Sequence, residues 1–170
     1  WLEGNAVISP QGKMLNVIGV HTFDKFRERS GHIQVSDDGL TSTFNAGTGF
    51  HDLPGGGKKF SIRFDSLSNK YWTLSNHVPS QFTGNIELDK IRNTLAICSS
   101  TDLLTWTVKA IVVQNPDIFL HGYQYVDWQF DGQDIVAVSR TSHDDNEGGA
   151  NNYHDANYLT FHRIVGFRSL

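Results

Sequence analysis

The chain has 170 residues, 38% of them hydrophobic, enough to bury the core of a single domain and too many for a disordered segment. A net charge of −4 excludes the broad basic field of a nucleic-acid binder, so an acidic ligand would need a local basic site. No run of about 18 apolar residues and no charged-then-apolar leader occurs, so neither a membrane span nor a signal peptide is expected. The opening at Trp1, inside a strand-like stretch, reads as a processed or truncated chain. Cys98, the lone cysteine, excludes an intrachain disulfide and a Cys-rich metal site, and in the apolar run LAICSS it reads as a buried thiol.

In chain order, short runs that alternate apolar and polar residues recur between Gly, Asn, Asp and Pro clusters, which predicts an all-β chain. Residues 3–21 read as a hairpin, EGNAVIS, PQG, KMLNVIGVH, followed by a third strand from His32 and a fourth over Thr41–Ala46. The pattern returns over residues 58–77 as KKFSIRFD, SLSN, KYWTLSNH, with a third strand from Asn93 and a fourth over Trp106–Val113. It returns again over residues 123–140 as YQYVDWQF, DGQ, DIVAVSR, with a third strand from Asn157 and no fourth. Asp131-Gly132 supplies the positive-φ chemistry of a tight hairpin.

The hairpin turns repeat about every 55 to 65 residues, a period of propeller blades. The reading is a β-propeller segment of about three four-stranded antiparallel blades, about 1–50, 51–115 and 116–170. Three blades leave open edges, so a ring would be completed by the missing part of the protein or by a second copy of the chain.

Two segments resemble the Asp-box turn of sialidase-type blades, S-x-D-x-G-x-T-W. In VSDDGLTS (35–42) the matches are Asp37, Gly39 and Thr41; in SSTDLLTW (99–106) they are Ser99, Thr105 and Trp106, with Thr101 in place of the Asp. HGYQYVDW from His121 and HDANYLTFHR from His154, with EGN (3–5), GGGKKFSIRFD (55–65) and RNTLAICSS (92–100), resemble the C-terminal portion of bacterial sialidase-like, BNR-repeat glycoside hydrolases. The resemblance covers nearly the whole chain. It implies a propeller of five or six blades, a glycosidase acting on terminal or side-chain sugars of complex glycans, and a periplasmic or secreted location. The three arginines, Tyr-Glu pair and acid/base Asp of true sialidases are not found here in an assignable order.

In such a ring the starts of first strands, the ends of second strands and the loops after them share one mouth. This groups Glu3, Lys58, His121, Tyr123 and Gln124 with Asn76, Arg140 and Arg92, and with the loop HDDNEGGANNYHD, 143–155. GVHT, LSNH and VSRT align as second-strand ends, which puts His21, Asn76 and Arg140 in matching positions. Glycosidases use two carboxyl groups, for which Glu3 and Asp155 are the candidates; Glu3 reads alternatively as a charge beside a frayed start. Arg140 and Arg92 suit a sugar carboxylate or sulfate, or an ion pair with the acidic loop. Lys58 reads as a positive point charge at the mouth or as a solvated loop lysine. His121 and His154 suit proton transfer or hydroxyl binding, or backbone capping, while His162 reads as packing. Asp127 in its core-like strand reads as a paired structural carboxylate. Tyr71, Trp72, Tyr123, Tyr125 and Trp128 read as sheet-to-sheet core or as sugar-stacking rings. Asp144, Asp145, Glu147 and Asp155 offer oxygens for Ca²⁺ without EF-hand spacing; no other cofactor or metal is expected. A polysaccharide lyase and a non-catalytic carbohydrate-binding propeller are the alternative functions.

Overall fold

The computed structural model describes all 170 residues, Trp1–Leu170. Three antiparallel sheets follow one another along the chain, with no α-helix and short 3-10 turns at Ser80–Phe82, Leu88–Lys90 and Phe167–Ser169. The first contains β1 (Gly4–Ile8), β2 (Met14–Val20), β3 (Arg29–Val35), β4 (Ser42–Thr43) and β5 (Phe50–Asp52), the second β6 (Ser61–Asp65), β7 (Lys70–Ser75), β8 (Thr94–Ser100) and β9 (Thr107–Gln114). The third contains β10 (Gly122–Asp131), β11 (Asp134–Ser142) and β12 (Tyr158–Ile164). Apart from β5, consecutive strands pair in each sheet, and the tight turns of the first hairpins take a left-handed residue, Gly12 at φ 74°, Asn69 at φ 52° and Gly132 at φ 61°.

The fourth strand expected over 41–46 shrinks to β4. Asn45 bends the chain there, its side-chain oxygen accepting from Gly47 N at 2.9 Å and its carbonyl from Gly49 N at 2.7 Å. The returning β5 pairs with the start of β3, and Phe44 and Phe50 close on Trp1 with ring centroids 4.8 and 5.8 Å away.

The Asp-box-like turns lie in a different register from the one read in the sequence. Ser36 and Asp38 build the first and Ser100 and Asp102 the second, one residue beyond Asp37 and Thr101. Asp102 Oδ1 accepts from Leu104 N and Thr105 N, each at 2.8 Å, and Ser100 Oγ accepts from Leu103 N at 2.8 Å. Asp38 Oδ1 accepts from Leu40 N at 3.0 Å, and Ser36 Oγ from Thr41 N at 3.0 Å. The shared pattern is S-x-D-x-L-T, and its fourth position is left-handed in both: Gly39 at φ 72° and Leu103 at φ 67°. The register follows from chemistry, since a carboxylate two residues after the Ser can reach the amide groups that the turn leaves unpaired.

Apolar side chains on facing sheets form the core. Trp72, Leu74, Leu95 and Ile97 pack against Tyr123, Val126, Trp128, Ile135 and Ala137, and Val7 and Val17 pack against Phe60, Ile62, Tyr71 and Leu103. Each large side chain so buried contributes about 1.5–3 kcal/mol. First strands meet across the sheet boundaries: Asn5 bonds Phe60 O at 2.8 Å and Ile62 N at 3.1 Å, and Trp128 Nε1 donates to Ser61 O at 3.0 Å. Burial pushes the Cys98 thiol up to about 12, which suits packing and not nucleophilic chemistry. Asp127 is exposed, not buried, and pairs with Arg63 at 3.2 Å.

Candidate functional site

The hairpin β10–β11 positions the site through a break in its own rhythm. Tyr123 pairs with Thr141 and Gln124 with Arg140, but the next pair is Asp127 with Val138, so Tyr125 and Val126 together face Ser139. This is a β-bulge. Strict alternation from Tyr123 would send Tyr125 into the core; the extra residue gives that place to Val126 and turns Tyr125 outward, at φ 51°. A tyrosine held in the left-handed region costs on the order of 1–3 kcal/mol, a strain that clusters at ligand sites.

Two guanidinium groups flank the displaced ring. Arg140 Cζ lies 5.0 Å and Arg92 Cζ 5.9 Å from its centroid, within cation–π range. Beneath them Gln124 is fully buried. Its Oε1 accepts from Arg92 Nη1 at 3.1 Å, and its Nε2 donates to the carbonyls of Tyr153 at 3.0 Å and His154 at 2.7 Å. Arg140 Nη2 donates to the same His154 carbonyl at 3.2 Å. The His154 ring lies edge-on to Tyr125 at 6.0 Å, with Asp155 Oδ1 3.9 Å from its Nδ1. Burial, then the charges of Arg92 and Arg140, hold the His154 imidazole below its usual pKa, so it is neutral near pH 7.

Arg140 and Arg92 form no ion pair with any carboxylate. Arg27 and Arg29 pair with Asp52, Arg63 with Asp127, Arg163 with Asp131 and Asp134, and Arg168 with Asp65. The salt bridge that the acidic loop offered to Arg140 is therefore not formed. Two cations without anionic partners beside an exposed aromatic face leave local positive charge unneutralised at this surface.

Of the sequence candidates, Arg92, Gln124, Arg140, His154 and Asp155 converge here. Others do not. Asn76 is 2% exposed, and its amide donates to Arg92 O, Thr94 O and Tyr123 O at 3.3, 3.1 and 2.5 Å; it fastens the second sheet to the third and offers nothing to a sugar. Tyr123 is buried in the core with its ring edge-on to His162. Lys58 is neither a mouth charge nor solvated. It is fully buried against Glu28, which also accepts from Gly55 N at 2.9 Å, and it donates to Leu88 O at 2.8 Å. Burial lowers the Lys58 pKa and raises that of Glu28, and the bond from Gly55 N to Glu28 ties the glycine loop to the pair. Glu3 is exposed, and its carboxylate makes no hydrogen bond or ion pair within the chain. His21 Nε2 lies 2.8 Å from Asp89 Oδ2. His121 is buried outside the arginine cluster. The four loop carboxylates form no common site: Asp145 caps Glu147 N and Gly149 N, and Asp155 accepts from Asn152.

Tyr125 is the site residue that the sequence undervalued. Its signal is the spacing of the aromatics in YQYVDW, two between Tyr123 and Tyr125 but three between Tyr125 and Trp128, which period two cannot accommodate without a bulge.

The cluster is an open patch and lines neither of the two larger concavities. These are a groove of about 720 Å³ beside Arg29, His51, Pro54 and Trp106, and one of about 740 Å³ beside Val7, Ile62, Phe64 and Tyr71.

No family model and no curated protein matches the chain. Among solved structures it is similar to a GH93 α-L-arabinofuranosidase of Fusarium graminearum in complex with arabinobiose, with a TM-score of 0.57 at 10% identity. The likeness is one of fold. It covers 98% of this chain and 45% of the enzyme, so the chain spans less than half the length of that protein, and its sheets follow a propeller-type arrangement. A GH43 β-1,3-galactosidase with galactodeoxynojirimycin also matches, with a TM-score of 0.43 at 11% identity over 92% of this chain and 46% of that one.

Proposed function

We propose that the chain forms part of the substrate mouth of a sialidase-like glycoside hydrolase that trims terminal or side-chain acidic sugars from complex glycans. Further propeller blades, from the rest of the protein or a second copy, complete the ring. The observation that carries this reading is the pair of guanidiniums, Arg92 and Arg140, free of carboxylate partners around the outward-turned Tyr125. A sugar stacked on the phenol ring would present its carboxylate or sulfate to the two arginines. Asp155 stands at this cluster as one carboxyl group of the reaction. Glu3, just ahead of a first strand in another sheet, is the candidate for the second.

A lyase on the same scaffold is favoured by one specific feature: His154 is held neutral beside two guanidiniums. A neutral imidazole can abstract a proton next to a uronate carboxylate whose charge the arginines offset.

The test incubates the full protein with oligosaccharides ending in a uronate. The hydrolase reading expects release of free sugar, turnover abolished by Asp155→Asn or Glu3→Gln, and binding weakened about ten- to a hundredfold by Arg140→Gln. An ultraviolet-absorbing unsaturated uronate would establish the lyase instead. Binding without any product would leave a carbohydrate-recognition module, and unaltered binding by Arg140→Gln would remove the anion site.

A further inference from the structure

The open end of the same hairpin carries a second cluster. His121 lies three residues before Gln124, about 10 Å along an extended strand, and His143 directly follows β11. The His121 side chain is 5% exposed, and neither of its ring nitrogens has a hydrogen-bond partner. Such a group is costly to bury without a ligand for its lone pair. Asp144, Asp117 and His143, each carrying a lone pair, stand beside it. Asp144 Oδ2 is 3.4 Å from Nε2, Asp117 Oδ2 is 3.6 Å from Nδ1, and the His143 ring stands edge-on with centroids 4.6 Å apart. One donor atom from each of His121, His143 and Asp144 lies within 4.8 Å of the others.

The backbone that presents these donors is fixed. Asn157 accepts from His143 N at 3.0 Å and donates to His143 O at 2.9 Å, and Ala150 N donates to the same carbonyl at 3.1 Å. Donor atoms around a tetrahedral zinc ion stand about 3.3 Å apart. The Asp144 side chain is 77% exposed, so rotation of its carboxylate and a small swing of the His143 ring can close the set.

We propose that His121, His143 and Asp144 bind a divalent transition-metal ion of the zinc class, with a coordination position left open. Two imidazoles and a carboxylate suit Zn²⁺, Ni²⁺ or Cu²⁺, whereas Ca²⁺ prefers an all-oxygen shell. The site is separate from the arginine cluster and stands or falls apart from the carbohydrate reading.

Zn²⁺ alone is the probe. Chelator-treated protein titrated calorimetrically, then desalted and analysed for metal, is expected to take up one ion per chain and to unfold at a higher temperature when loaded. His143→Ala and Asp144→Ala each lose this uptake while the metal-free variants melt as the parent does. His51→Ala, which alters the other close pair of imidazoles, His32 and His51 at 4.4 Å, keeps it. Co²⁺ loading should give a visible absorption band that His143→Ala lacks. Uptake unchanged in His143→Ala, uptake lost in His51→Ala, binding of Ca²⁺ but not Zn²⁺, or no stoichiometric binding each overturns the assignment; in the last case His121 is held by Asp117 and Asp144 alone.

Discussion

His32 sits on β3 with 8% exposure, its Nε2 without a partner and its ring 4.4 Å from that of His51. Burial first, then the neighbouring His51, pushes its pKa down from 6.5 to about 4. The unfolded chain therefore takes up a proton between these values that the folded chain refuses, so stability falls as pH drops from about 6.5 and levels off near pH 4. The full penalty is about 3 kcal/mol. Denaturant unfolding at pH 7 and pH 4 should show a smaller loss for His32→Gln than for the parent, and parallel losses would exclude this origin. Nothing in HIQVS announces the effect, because depth of burial depends on what the neighbouring sheet places overhead. The place of Arg140 was legible for the converse reason: a polar group near the end of an apolar strand has few places to go. Lys58 was misread since its partner, Glu28, comes from another sheet's loop and has no sequence mark.

Among the elements, the repeated S-x-D-x-L-T turn invites comparison of its two copies. Both Asp38 and Asp102 cap main-chain amides, but the second copy also buries Leu103 in the core at a left-handed φ of 67° that Gly39 meets with no side chain. Holding a leucine there costs on the order of 1–2 kcal/mol, so the Asp102 bonds must hold the turn against its own backbone preference. Asp102→Ala should destabilise by about 2 kcal/mol and Asp38→Ala, on an exposed turn, by less than about 1 kcal/mol. Equal losses in urea melts would show that the capping bonds and not the buried leucine dominate. The hairpins were readable because alternation and turn chemistry are local. The truncated β4 and the added β5 were not, because Asn45 redirects the chain toward Trp1, an aromatic contact remote in sequence.

At the scale of the molecule, the third sheet ends at β12, whose outer edge is unpaired and whose Leu159 and Phe161 are 73% and 64% exposed. Free edges with apolar neighbours pair with other chains. Sedimentation of the 170-residue chain should show association that grows with concentration, and the double variant Leu159→Lys, Phe161→Lys should return it to monomer; a parent that stays monomeric at high micromolar concentration contradicts this. The repeat of hairpin, loop and third strand made the succession of sheets legible, whereas their mutual docking rests on contacts such as Asn76 to Tyr123 that no periodicity encodes. Gln124 belongs to both levels. With one end of its amide it grips the chain that carries His154, and with the other it steadies Arg92 from the adjacent sheet. The placing of Arg92 beside the His154 segment and the cohesion between neighbouring sheets thus share a single fastener, so loosening either would be felt in both.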